Sequence, residues 1–335
     1  MDLDRFDWLA RRNETAIEPE LEIVDPHHHL WDRGGSTYLA EQLHADTSAG
    51  HRVVQTVFVD CMSKYDKSAP AHLRPVGETR FVAEQAAQLK TLGGAEVAGI
   101  VGFVDLTSGD LVDESLAAHQ AASSLFRGIR HATGWDPSPE VHDSHTKPTP
   151  GLTCSADFVA GARRLAARGL TFDAWLYHPQ LDDLVVLARE VPELTIVVNH
   201  LGGPLGIGPY ASRRSDVLSA WRASMQRLAA QPSVFVKLGG FGLDTYFGTG
   251  WAGLDTPVDS DRVAAYWGDV VRWCIDTFGP RRCMFESNFP VDRQALTYTV
   301  LWNACKKMTT GYDADERGSL FAETARRAYS LSPCR

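Results

Sequence analysis

Residues 22–32 read Glu-Ile-Val-Asp-Pro-His-His-His-Leu-Trp-Asp. A short strand-favouring run, 22–25, stops at a proline and three consecutive histidines. A doubly wound α/β sheet normally places a glycine-rich phosphate turn after its first strand. The turn here, Pro26-His27-His28-His29, has no glycine. Outward from this segment, short apolar runs alternate with longer amphipathic ones, the pattern of repeated βα units. Strands are expected at 22–25, 53–60, 96–106, 125–131, 170–178, 194–202, 233–240 and 282–291, rich in Val, Ile and Phe as buried parallel strands are. Helices are expected at 78–92, 110–122, 155–168, 180–190, 213–230, 260–278, 293–308 and 314–329, and the first connection, near 36–49, reads as poor in helix. Eight strands with right-handed helical crossovers predict a closed (β/α)8 TIM barrel. The barrel is expected to fill one domain, 21–332. The short extension 1–20, with Phe6 and Trp8, would pack on the barrel or on a partner.

The 335 residues suit one barrel with long loops, and 44% hydrophobic residues can fill its core. A net charge of −9 argues against nucleic acid or an anionic membrane as partner, since either calls for a basic patch. Apolar runs are too short to span a bilayer, and acids at Asp2, Asp4 and Asp7 do not suit a secretory leader. The six scattered cysteines contain no CxxC, which fits a reduced, cytoplasmic setting. A small-molecule substrate is the expected partner, with homo-oligomerisation left open.

Histidine carries the chemistry. His27 and His29 end the first expected strand, His178 the fifth and His200 the sixth. Strand ends meet around one pocket in a barrel, and residues i and i+2 face the same way, so His27 and His29 should face inward and His28 outward. Converging imidazoles suit a zinc-like ion that activates water. A single histidine at a strand end is more often a satisfied polar residue; four at matching places outweigh that reading. His44, His51, His72, His119, His142 and His145 lack such placement and read as surface residues.

Glu286 and Asn288 share parity on the eighth strand and suit an acid/base or ligand role; the other reading of Glu286 is an ion-pair partner of Lys237 or Arg130. Arg130 could clamp a substrate carboxylate or make a structural ion pair. Lys237 carries the same two readings, substrate binder or internal ion pair. Trp31 reads as packing or pocket wall. Three long loops, 61–77, 132–154 and 241–258, all follow strands and so belong to the face that carries the active site. The last, with Tyr246, Phe247 and Trp251, reads either as a substrate-covering lid, with Tyr246 touching substrate, or as a packed surface loop.

The segments VDPHHHLWD, PVGETRFV, FRGIRH, VVNHLGGP and CMFESNFPVD resemble the amidohydrolase superfamily, in its amidohydrolase-2 branch, which includes the 2-pyrone-4,6-dicarboxylate lactonases and L-fuconolactonases. The likeness runs from about residue 20 to 330. It implies a (β/α)8 barrel with hydrolytic chemistry and a divalent metal, zinc or manganese, on His27 and His29, with His178 and His200 matching the later histidines. It also includes lactonases that need no metal. The aspartate that normally ends the eighth strand as base or ligand is here Asn288, and Glu286 stands where a small residue is common. The hypothesis is that Glu286 partly takes over that carboxylate's work. The resulting expectation is a hydrolase of a lactone or related cyclic ester, carboxylated or polyhydroxylated. Arg130 would hold the substrate, with His178, Glu286 or a metal-bound hydroxide as base. A metal-dependent decarboxylase or lyase on an unsaturated or aromatic acid, and a non-catalytic binding barrel, are the alternatives.

Overall fold

The computed structural model describes residues 5–333; Asp2, Asp4 and Cys334 lie outside them. Ten strands are present among the described residues: β1 (Glu22–His28), β2 (Trp31–Arg33), β3 (Ser36–Tyr38), β4 (Arg52–Val59), β5 (Glu96–Gly102), β6 (Phe126–Arg130), β7 (Thr171–Ala174), β8 (Ile196–Val198), β9 (Val234–Leu238) and β10 (Cys283–Phe285). Eight form one sheet in the order β1-β4-β5-β6-β7-β8-β9-β10, with every pairing parallel. The ends meet where His28 bridges Phe289 and the His29 amide donates to Phe289 O at 2.8 Å. This is the (β/α)8 barrel. The hairpin β2–β3 and the helix Ala40–Thr47 occupy the first connection, where little regular structure was expected.

The helices pack because of their spacing. Ser260–Phe278 begins with Asp259 accepting from the Arg262 amide at 2.8 Å and ends at Gly279, whose φ of 82° stops it. Its buried residues, Val263, Trp267, Val270, Val271, Cys274, Ile275 and Phe278, recur every three or four positions and form one stripe against the strands. Each such side chain contributes roughly 1.5–3 kcal/mol on burial. A second apolar cluster fills the barrel interior: Val24, Val57, Val59, Val101, Val197 and Met284 meet Ala322, Ala325, Ala328 and Tyr329 from the C-terminal helical segment. That segment, expected as one helix over 314–329, is Ala314–Gly318, a π turn at Ser319–Glu323, and Thr324–Ala328. Residues 293–308 likewise divide, with the α-helix confined to Tyr298–Met308.

Of the two settings open to the N-terminal extension, its described residues take the barrel. Glu14 accepts from the Ser260 amide and hydroxyl at 2.8 and 2.6 Å, and Lys306 Nζ donates to the carbonyls of Ile17 and Glu18 at 2.9 and 2.8 Å. No helix of the described residues is long and apolar enough to cross a membrane.

Two histidines read as surface residues are buried. His119 lies between Thr79 Oγ1 (2.7 Å) and Phe103 O (3.1 Å), and His51 beside Lys306 Nζ (2.8 Å). Burial pushes His51, His119, His131 and His178 down to about 4, whereas it pushes Asp25 up to about 6 and Asp292 up to about 7. Below pH 6.5 the unfolded chain binds protons that the four folded imidazoles refuse. The two acids act oppositely, because the folded state holds their protons longer. The histidines outnumber them, so stability should fall as pH drops from about 6.5 to 4, by roughly 2–3 kcal/mol per unit in mid-window. Urea titrations at pH 7, 5.5 and 4.5 check this; a midpoint that stays level or rises on acidification would refute it.

Candidate active site

A cavity of about 510 Å³ opens at the C-terminal mouth of the barrel. His29, Arg130, Trp175, His200 and Asn288 line it from the strand ends, with Trp31, Arg33 and Ser36 from the hairpin. Cys61, Met62, His145, Leu243 and Val291 come from the loops. None of these lining residues is Asp or Glu. A groove of about 700 Å³ at the other end of the barrel, among Arg52, Val53, Glu96 and Pro333, gathers no histidine.

Beneath the floor of the mouth lies the carboxylate of Glu286. Glu286 is fully buried, and its Oε1 accepts from His200 Nδ1 at 2.7 Å and from the His200 amide at 3.0 Å. Its Oε2 lies 2.7 Å from His27 Nδ1, angled away from a straight hydrogen bond. Two local features make this possible. His200 adopts a left-handed φ of 50°, which turns its amide and ring toward the same oxygen and costs of order 1–3 kcal/mol. Gly239 leaves the space, since a Cβ there would lie 2.2 Å from Glu286 Cγ. A slip in register between Asp25 and His28 of β1 turns His27 into the barrel and His28 outward onto Phe58.

The acceptors determine the tautomers. His29 Nδ1 lies 2.8 Å from Val59 O, and His200 Nδ1 and His27 Nδ1 face Glu286. Carbonyls and carboxylates only accept, so Nδ1 of His29 and of His200 carries the proton and Nε2 of each keeps a lone pair, whereas His27 Nδ1 also lies 3.3 Å from Lys237 Nζ, a donor. His27 Nε2 is buried with no partner among the described residues. Burial first, then nearby Lys237 for His27 and Arg130 for His29, pushes both imidazoles well below the usual range, so both are neutral. A neutral His29 with Nδ1 anchored and a neutral His27 whose Nε2 has no partner among the described residues fit a divalent ion such as zinc or manganese. His27, His200 and Glu286 also bring possible ligand atoms within 4.8 Å of one another. Glu286 Oε1, however, is already spent on the ring and amide of His200.

Several expected site residues sit elsewhere. β7 ends at Ala174, and Trp175, two residues beyond inward-facing Asp173, takes the place on the pocket wall assigned to His178. His178 starts a short turn with Pro179, bonds the Leu205 amide at 3.3 Å and packs on Tyr210, so it does not join the other imidazoles. Lys237 is fully buried below the pocket, 2.7 Å from Asp173 Oδ2 and 3.3 Å from His27 Nδ1, and cannot touch a ligand in the mouth. Of its two readings the internal ion pair is the one present. Tyr246 is buried behind His200, with ring centres 6.0 Å apart. Phe241 and Phe247 pack on Trp267, and Trp251 on Tyr266, so loop 241–258 is seated as a packed loop and only Leu243 reaches the cavity. Glu286, expected to face substrate, reaches it only through His27 and His200. Arg130 and Trp31 do line the mouth, and Arg33 lies over the Trp31 ring at 4.9 Å.

Arg130 bonds the Asp60 carbonyl but has no ion pair among the described residues, and its Nε is buried without a partner. Behind Asn288, Asp292 Oδ1 accepts from Asn288 Nδ2 at 2.8 Å.

The amidohydrolase family model (Amidohydro_2) matches residues 24–331. This chain belongs to the amidohydrolase family. The amidohydrolase is 31% identical over 340 residues to protein y4mH of Sinorhizobium fredii, covering 93% of this chain and 99% of that one. It is 28% identical to an L-fucono-1,5-lactonase of Burkholderia multivorans, covering 76% and 77%. An amidohydrolase from Burkholderia multivorans solved with bound zinc shares its fold, with TM-score 0.71, 24% identity and coverage of 92% and 99%. Trp175, Arg33 and His145 escaped the sequence reading. Only Trp175 left a signal, its parity with Asp173.

Proposed function

We propose that this amidohydrolase opens a small lactone or related cyclic ester that carries an anionic group. One observation carries the reading. His29 and His200, each with Nδ1 held by an acceptor, line a mouth whose wall also holds Arg130, which has no ion pair among the described residues, and none of the lining residues is acidic.

Arg130 binds the substrate carboxylate and sets the ring over the floor. His200 takes the proton of the attacking water at Nε2, and Glu286 steadies the imidazolium through Nδ1, as a carboxylate does in an acid–histidine pair. His27 and His29 would hold a divalent ion through Nε2. When bound, such an ion polarises the carbonyl and acidifies water. Asn288 offers an amide oxygen to the water. Trp31 and Trp175 line the walls beside the ring and exclude solvent.

The test is metal analysis of the purified protein together with a panel of lactones and carboxylic acids. Ring opening of a carboxylated lactone is the expected outcome. Carbon dioxide release without ring opening would replace the hydrolase with a decarboxylase, and binding without turnover would leave a binding barrel.

A further inference from the structure

Asp292 is fully buried, and no cation pairs with it among the described residues. Its Oδ1 accepts from Asn288 Nδ2 at 2.8 Å and its Oδ2 from the Gly242 amide at 2.9 Å. Its own amide donates to Asn288 O at 3.2 Å. Gly242 is pressed against it, because a Cβ there would lie 2.6 Å from Asp292 O. The next residue, Leu243, lines the cavity, as Asn288 does. One carboxylate thus joins the loop after β9 to the polar residue at the pocket floor.

An amide side chain has a donor end and an acceptor end, and a carboxylate can only accept. The side chain of Asp292 therefore dictates which end of Asn288 faces it. Nδ2 is held inward, and Oδ1 is left for the pocket. We propose that Asp292 is a positioning residue that keeps Asn288 turned with its oxygen toward the reacting water. The inference rests on the hydrolase reading only for the identity of that water; the orientation of the amide stands apart from it.

The geometry makes a specific exchange informative. In Asp292→Asn the Gly242 amide still needs an acceptor, so the new oxygen stays with Gly242 and the new NH2 turns to Asn288. Asn288 must then flip and present its own NH2 to the pocket. At pH 8, kcat should fall about a hundredfold with KM changed less than about threefold, the scale of losing one preorganised contact to the reacting centre. The double variant Asn288→Asp/Asp292→Asn reverses the bond's polarity and returns an acceptor to the pocket. It should recover at least about tenfold over Asp292→Asn. Asn288→Asp alone places two carboxyl groups at 2.8 Å and should be the poorest of the three.

Nuclear magnetic resonance reads the orientation without turnover. The Asn288 NH2 protons should exchange slowly in the native protein and at least about tenfold faster in Asp292→Asn. Unchanged exchange in a folded Asp292→Asn protein, or a double variant no better than the single one, would overturn the proposal. A native protein that opens no lactone while the exchange contrast holds would sink the hydrolase reading alone.

Discussion

Glu286→Gln should lower kcat by about a thousand- to ten-thousandfold while the protein still folds. The carboxylate accepts from the His200 Nδ1–H and the His200 amide, both donors, and its second oxygen lies 2.7 Å from His27 Nδ1. Glutamine has one acceptor atom and one donor atom. If its oxygen stays with His200, its NH2 joins Lys237 Nζ as a second donor at His27 Nδ1, and that ring is held with its proton on Nε2. The lone pair at the floor is then lost. If it turns the other way, His200 is forced into the wrong tautomer and cannot take a proton at Nε2. Steady-state kinetics with urea unfolding separates lost chemistry from lost folding. A rate within threefold of native would remove Glu286, and the His200 base it supports, from the mechanism. Divalent-ion affinity at His27 should weaken by about ten- to a hundredfold in the same variant, since the group that orients the ligand is gone.

Arg130→Met should separate anionic from neutral substrates. Methionine keeps an apolar stem in a similar volume and removes the guanidinium. A buried charged hydrogen-bonded pair that loses one partner costs roughly 2–5 kcal/mol. On a carboxylated lactone kcat/KM should therefore fall about a hundred- to a thousandfold. On a neutral lactone of the same ring it should change less than about threefold. Equal losses on both would make Arg130 a structural residue whose bond to the Asp60 carbonyl is its main task. The Asp60 corner also carries Glu78, which accepts from the Cys61 and Ser63 amides at 3.2 and 2.6 Å and can support the loop independently of Arg130.

The barrel itself was legible along the chain, because buried parallel strands and amphipathic helices differ in period wherever they occur. Expected helices such as 260–278 and 180–190 coincide with the observed ones to within a residue or so. Strand ends were harder to place. Apolar character continues past the last ladder bond, as it does from Ala174 through Trp175 and Leu176, so the run 170–178 gave no sign of where the chain leaves the sheet. That error of four residues exchanged Trp175 for His178 on the pocket wall.

The local sequence determined that His27 and His29 would belong to one strand end and that a barrel would carry them. Only the closed ring decided the partners. Glu286 meets His200 across 86 residues and Lys237 meets Asp173 across 64. Asp292 meets Gly242 across 50. Hydrogen bonds between distant strands depend on the register and stagger of the barrel, and no periodicity within one segment encodes them. For that reason the residue types of the site are legible in the chain, while which imidazole is anchored, which cation is spent inside and which remains for a ligand are decided only by the closed ring.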